Sequence, residues 1–287
     1  MPINRRGFFK VLGVTGAALA LGREMKAAPA GDDEIDFRGI LYDSARCKGC
    51  HGCEYDCADA NGLPVPDAVK EDAPVRDTNE NRRTVVNGYN TSKGRVYIKK
   101  QCMHCSEPAC VSACLTQAMH KTKAGPVIWR GEKCMGCRYC MVSCPFDIPR
   151  FEYHSANPRI QKCDMCYNRL KTGEMPACAM NCPNEALFYG TRRQLVAEAH
   201  KRIVENPKIY VDYLYGEREA GGTCWMYLSP VPFKELGMRT IQKASYPALT
   251  KGFLYSVPSI FVLFPALLLG IHQATKKDNQ TSEEEQA

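Results

Sequence analysis

The stretch Cys134-Met135-Gly136-Cys137-Arg138-Tyr139-Cys140-Met141-Val142-Ser143-Cys144-Pro145 sets four thiols at steps of three, three and four residues, closed by a proline. Three more groups of four share its logic. Cys47, Cys50, Cys53 and Cys57 repeat the same steps without the proline. Cys102, Cys105, Cys110 and Cys114 lengthen the second step. Cys163, Cys166, Cys178 and Cys182 lengthen it further and end on Pro183. Together the groups use 16 of the 17 cysteines, and Cys224 is left over.

A cubane [4Fe–4S] cluster needs four thiolates placed tetrahedrally about it. C-x2-C-x2-C wraps a tight loop round one cluster and supplies three. The x3 step opens a helical turn and carries the fourth Cys to the other cluster of a pair. The third group is the bacterial ferredoxin run C-x2-C-x2-C-x3-C-P without deviation, and the first lacks only the proline. Runs of this kind come in twos, so four of them imply four [4Fe–4S] clusters in two pairs. Structural zinc uses paired C-x2-C and leaves the third and fourth Cys of each run unexplained. A disulfide framework suits an exported protein, but C-x2-C neighbours and an odd total suit it poorly. Cys47-Lys48-Gly49-Cys50-His51 also fits the C-x-x-C-H attachment site of c-type haem. Haem there would strand Cys53 and Cys57, so His51 is read as a loop residue beside a cluster.

With 45% hydrophobic and 24% charged residues, the 287-residue chain has ordinary globular chemistry, which excludes wholesale disorder. The formal charge is +7, from 38 basic and 31 acidic side chains. Five basic side chains and one acidic one fall in the first 30 residues, so the charge of the remainder drops to +3. Each oxidised cubane with its four thiolates brings about −2. The scattered basic residues then offset clusters, and no nucleic-acid partner is expected.

Both ends carry targeting signals. Arg5-Arg6-Gly7-Phe8-Phe9-Lys10, the apolar stretch 11–22 and the small-residue end Ala28-Pro29-Ala30 read as an export signal over residues 1–30, with a twin-arginine start. That route moves folded cargo, which suits a protein whose clusters are assembled in the cytoplasm. Residues 252–271 hold no charged side chain and, at 1.5 Å per residue, span roughly 30 Å, a bilayer core. Pro258 and Pro265 interrupt this stretch, as membrane helices tolerate. Lys276-Lys277 behind it argue for a cytoplasmic tail and a body on the periplasmic side of the cytoplasmic membrane. The expected organisation is a signal at 1–30, a four-cluster domain at 31–190, a helix and strand extension at 191–249, a transmembrane helix at 250–273 and a tail at 274–287.

Within the body, residues 58–101 open with loop chemistry and close on a strand at Arg95-Val96-Tyr97-Ile98. Strands are also expected at 125–129, 187–189 and, after the turn Gly221-Gly222, up to Leu228. Thr191 and Gln194 form a capping box for a helix running to about Asn206. Its Leu195, Ala199 and Ile203 share one face and are assigned to packing. Cys224 is expected to be buried as a small apolar side chain. The fold class is α+β: duplicated bacterial ferredoxin-like modules with inserted loops and a C-terminal transmembrane helix.

The chain resembles the four-cluster iron–sulfur subunits of membrane-bound respiratory complexes, such as the beta subunits of formate dehydrogenase, dimethyl sulfoxide reductase and polysulfide reductase. It is most similar to the exported, tail-anchored subunits of Hyb-type uptake hydrogenases and of the high-molecular-weight cytochrome (Hmc) complex. The resemblance rests on Leu41-Tyr42-Asp43, Thr84-Val85-Val86-Asn87, Gln101-Cys102-Met103-His104-Cys105, Cys137-Arg138-Tyr139-Cys140-Met141-Val142 and Gly221-Gly222-Thr223 to Pro232-Phe233. It implies cross-paired ligands. Cys47, Cys50 and Cys53 would share a cluster with Cys182, and Cys163, Cys166 and Cys178 one with Cys57. Cys102, Cys105 and Cys110 would share one with Cys144, and Cys134, Cys137 and Cys140 one with Cys114. Leu115 departs from the proline that often follows in the family. The resemblance also implies electron transfer without substrate chemistry. The expected partners are a periplasmic multihaem cytochrome c or [NiFe] hydrogenase and an integral membrane subunit that handles quinone. No catalytic residue is expected: the chain shows no nucleophile pattern and no nucleotide loop. The alternative is a metal-stabilised docking subunit with no obligatory electron traffic.

Overall fold

The structure, a computed structural model, describes residues 36–70 and 73–284. The export signal expected at 1–30 lies outside the described residues, as do the last three residues of the tail. In chain order the elements are β1 (Arg38–Asp43), α1 (Gly52–Ala60), β2 (Val85–Thr91), β3 (Gly94–Lys100), α2 (Ala109–Ser112), β4 (Met119–Lys121) and β5 (Val127–Trp129). Next come α3 (Tyr139–Val142), β6 (Arg150–Phe151), β7 (Ile160–Gln161), α4 (Tyr167–Lys171) and α5 (Ala177–Met180). The chain closes with β8 (Leu187–Thr191), α6 (Arg192–Glu205), β9 (Trp225–Leu228) and α7 (Tyr246–Glu284).

A three-stranded mixed sheet in the order β8-β1-β9 organises residues 35–249, which form one compact unit. β1 runs antiparallel to β8 and parallel to β9. Both faces of the sheet are covered, so β1 is buried from Gly39 to Asp43 without the alternation of a half-exposed strand. The period of two divides its side chains between two cores. Ile40 and Tyr42 join Trp225, Tyr227 and several cysteines on one face. Leu41, Met226 and Leu228 join Leu195, Ala199 and Ile203 of α6 on the other. At Gly39 a Cβ would sit 2.5 Å from the Cys224 carbonyl oxygen, so the close approach of the β9 segment requires glycine there.

The capping box at Thr191 is present, with its hydroxyl accepting from the Gln194 N–H and the Gln194 side chain accepting in return. The remaining strands form three antiparallel hairpins, β2–β3, β4–β5 and β6–β7. Cys224 is fully buried. From Thr250 on, α7 belongs to a separate unit. Its segment Tyr246–Gln273 is long and apolar enough to cross a membrane, with a mean hydropathy of 2.1 in its most apolar window. Pro258 and Pro265 lie inside that helix.

Candidate metal centres

The cysteine loops adopt recurring local conformations. In groups one and three the residue before the second Cys is a glycine in the left-handed region, Gly49 at φ +70° and Gly136 at +73°. The residue after that Cys is also left-handed, His51 at +58° and Arg138 at +61°. The helix then starts at once, α1 at Gly52 and α3 at Tyr139. Holding a histidine and an arginine in this region costs about 1 kcal/mol each, which the local fold sustains in both loops. His51 also bonds Glu54 through Nδ1 at 2.8 Å, and Glu54 in turn receives Arg76 and the Val86 N–H. These bonds, working against burial, hold the Glu54 carboxyl down at about 2.

Groups two and four share a different device. Pro108-Ala109-Cys110 and Pro176-Ala177-Cys178 each put a proline at the N-cap of a one-turn helix, where its missing N–H is not needed. Cys114, Cys144 and Cys182 end the same way. The residue three further on, Gln117, Asp147 or Glu185, is left-handed and returns its N–H to the cysteine carbonyl at 3.0–3.1 Å. That turn brings later N–H groups back onto sulfur. Met119 donates to Cys114 Sγ and Ala186 to Cys182 Sγ, both at 3.3 Å. Backbone N–H groups aimed at sulfur favour the thiolate over the thiol.

The groups interlock. The thiol of Cys47 feels the charge of Cys50 in its own group and of Cys182 in the fourth. Cys57 feels Cys178 and Cys166, and Cys163 feels Cys57. Cys105 is surrounded by Cys102, Cys110 and Cys144. Cys140 is surrounded by Cys114, Cys134 and Cys137. The couplings cross between groups, and they also run more widely: Cys53 feels Cys178, Cys163 feels Cys102 and Cys110 feels Cys140. Cys57, Cys163, Cys166 and Cys178 line one cavity together with Ile40, Lys99, Met165 and Trp225. All 17 thiols are free. Among the described residues no group of three or more His, Cys, Asp or Glu side chains is placed to hold a single metal ion.

The electrostatics follow from burial. Burial pushes Cys57 up to about 12 and Cys140 to about 11, and raises Cys53, Cys105 and Cys163 well above the usual thiol range. Cys114 is the exception. Burial pulls it up too, but the N–H groups of Met119, Ala118 and Thr116 and the Thr116 hydroxyl outweigh that and leave it lowered. Thiols gathered in such surroundings ionise together only against positive charge, which iron supplies. The four donors and the cavity between them therefore fit an iron–sulfur cluster.

Lys99, Trp225, Tyr42 and Tyr227 belong to these surroundings. Tyr42 donates to the Tyr97 carbonyl at 3.0 Å and lies against Cys47. Trp225 and Lys99 line the Cys57 cavity. Tyr42, Trp225 and Tyr227 fall in stretches that carry the family resemblance and Lys99 in none, and only the strands that the sheet brings to the thiols give the four a place there.

This arrangement defines an iron–sulfur protein of the ferredoxin type, and residues 94–192 match the family model of the 4Fe-4S dicluster domain. The chain is 45% identical over 297 residues to a protein of Nitratidesulfovibrio vulgaris, covering 99% of this chain and 80% of that one. It is 32% identical over 323 residues to the hydrogenase-2 operon protein HybA of Escherichia coli O157:H7, covering 96% of this chain and 97% of that one. To the formate dehydrogenase-O iron-sulfur subunit of Escherichia coli K12 it is 32% identical over 212 residues, 70% of this chain and 69% of that one. The chain belongs to the family of 4Fe-4S proteins that includes HybA.

Proposed function

We propose that the chain is the electron-transfer subunit of a membrane-bound respiratory complex, carrying electrons through four [4Fe–4S] clusters. It would link a periplasmic redox partner, a multihaem cytochrome c or a [NiFe] hydrogenase, to a quinone-handling membrane subunit. The ligand sets are Cys47, Cys50, Cys53 and Cys182; Cys57, Cys163, Cys166 and Cys178; Cys102, Cys105, Cys110 and Cys144; and Cys114, Cys134, Cys137 and Cys140. The observation that supports this reading most is the coupling of thiols from different groups, Cys47 with Cys182, Cys57 with Cys178 and Cys166, Cys105 with Cys144, and Cys140 with Cys114. Cross-pairing of this kind ties neighbouring sites together through short helices such as α1, which carries both Cys53 and Cys57. A bound [4Fe–4S] cluster takes up and gives back one electron at a time. The protein's part is to hold the thiolates, to aim N–H groups at their sulfurs and to exclude water with Ile40, Met165 and Trp225.

The similarity to HybA over 96% of this chain supports a hydrogenase-type complex, and the stretches at 84–90 and 225–228 favour the Hmc-like branch. The body then lies outside the cytoplasmic membrane after twin-arginine export, α7 crosses the membrane, and the tail after Lys276 is cytoplasmic. Anaerobic purification with iron and sulfide analysis and dithionite-reduced EPR tests the proposal. It expects about 16 iron and 16 labile sulfide per chain and four reducible centres. Zinc in place of iron, or covalent haem, overturns it. Clusters that no physiological donor reduces would favour the docking subunit instead.

A further inference from the structure

A lysine is buried beside the thiols with no carboxylate to balance it. Lys99 is 1% exposed. Its ammonium donates to the Thr84 hydroxyl and, at 3.3 Å, to the Gln101 side-chain oxygen, and it lies 4.9 Å from the centre of the Trp225 ring. All three partners are neutral. The charges that act on it most strongly are the thiols of Cys178, Cys53, Cys163 and Cys57. Burying an ammonium against neutral groups alone is strongly unfavourable. Its position makes sense when the counter-charge is the clusters themselves, each net negative in the oxidised state and more so when reduced.

The placement is also selective. Three of those four thiols belong to the set of Cys57, Cys163, Cys166 and Cys178, and Cys53 belongs to the set of Cys47, Cys50 and Cys182. Lys121 and Lys162 act in the same sense on Cys105 and Cys110, whereas at Cys140 the strongest neighbouring charges are the other cysteines of its set. A fixed positive charge in a low-dielectric interior stabilises the reduced state, which carries one more negative charge.

Resting on the four-cluster reading above, we propose that Lys99 is a positioning residue that raises the reduction potentials of the two clusters held by the first and fourth cysteine groups. The lysine touches no ligand sulfur and acts through its charge alone.

Redox titration followed by EPR, on the wild type and on Lys99→Met and Lys99→Arg, tests this. The wild-type spectrum and iron content are read first. Fewer than four reducible centres there would be a failure of the functional reading, seen before any variant is compared. With iron retained, Lys99→Met is expected to lower the potentials of two centres, more at the Cys57 set than at the Cys47 set, and Lys99→Arg to restore them. The two are recognised as the signals altered in Cys57→Ser and Cys47→Ser. If Lys99→Met is iron-poor, Gln101→Glu decides: it keeps the lysine and sets a carboxylate against the ammonium, so the same two potentials should fall. Unchanged potentials in an iron-replete variant, or an equal fall at all four centres, overturn the proposal.

Discussion

The thiols of Cys57, Cys163, Cys166 and Cys178 and those of Cys114, Cys134, Cys137 and Cys140 are presented by different loops and sit in different surroundings. The first set is enclosed. Cys57, Cys163 and Cys178 are buried, and Ile40, Met165, Lys99 and Trp225 wall the space between the four thiols. The second set is open. Cys137 is exposed, and Met135, Tyr139, Val142 and Leu115 around it face outward. Burial drives up Cys57 in the first set and Cys140 in the second, and only Cys114 at the open site is drawn down by N–H groups. Loop conformation therefore sets how four sulfurs are presented, and the sheet behind the loop sets solvent access and local charge. Potential and durability should then differ between the two sites.

The largest test removes a ligand from each set. Cys57→Ser and Cys137→Ser should each cut iron from about 16 to about 12 per chain. Only the first should destabilise the whole body, because an empty, polar-lined cavity is left in the main core that Ile40, Trp225 and Tyr227 share. Thermal unfolding followed by circular dichroism separates them. Equal losses of stability would mean that the enclosed site is no more structural than the open one.

A second test uses wild-type protein. Under an oxidant and a chelator, the signal of the open cluster should disappear on the order of tenfold faster than that of the enclosed one. That is the ratio produced by about 1.4 kcal/mol of difference in local opening free energy. EPR signals assigned through the two serine variants give the two rates. Equal rates would show that loss is limited by the body as a whole.

The cysteine groups, the helix α6 with its cap and buried face, and the apolar span of α7 were legible because each is a local pattern. The central strand β1 was not. Arg38-Gly-Ile-Leu-Tyr-Asp43 is six residues long and buried on both faces, so it shows neither alternation nor a helical period. Lys99 was hidden for a related reason. On a hairpin strand a lysine reads as a solvent-facing residue, and only the packing of β3 against Trp225 and the thiols buries it. Trp225 was legible as part of a buried strand, but its place at the cavity depends on the parallel pairing of β9 with β1, 185 residues earlier at Ile40.

The walls themselves give a third test. Trp225→Leu should lower the body's stability by about 2–4 kcal/mol through the cavity it opens, and should speed iron loss from the enclosed site toward the rate of the open one. Tyr139→Leu at the open rim should stay within about 0.5 kcal/mol. Denaturant titration measures both. A Trp225→Leu protein that keeps its slow iron loss would show that the tryptophan is packing and not a barrier.

The smallest effect decides how the others are interpreted. Thr191 caps α6, and its bonds with Gln194 are both 3.4 Å. The apolar face of this helix, Leu195, Ala199 and Ile203, packs on the side of the sheet carrying Leu41, Met226 and Leu228, opposite the thiols. Thr191→Ala should cost about 1 kcal/mol, a fall of roughly 2–4 °C in Tm for a body of this size. It changes no wall, no ligand and no charge near sulfur. The ratio of iron-loss rates between the open and enclosed sites should therefore be unmoved, even though the body is less stable. If the ratio narrows, iron leaves the enclosed site through global unfolding, and its slow loss measures the stability of the sheet. If it holds, the walls act locally, and the difference between the two sites belongs to Trp225 and its neighbours.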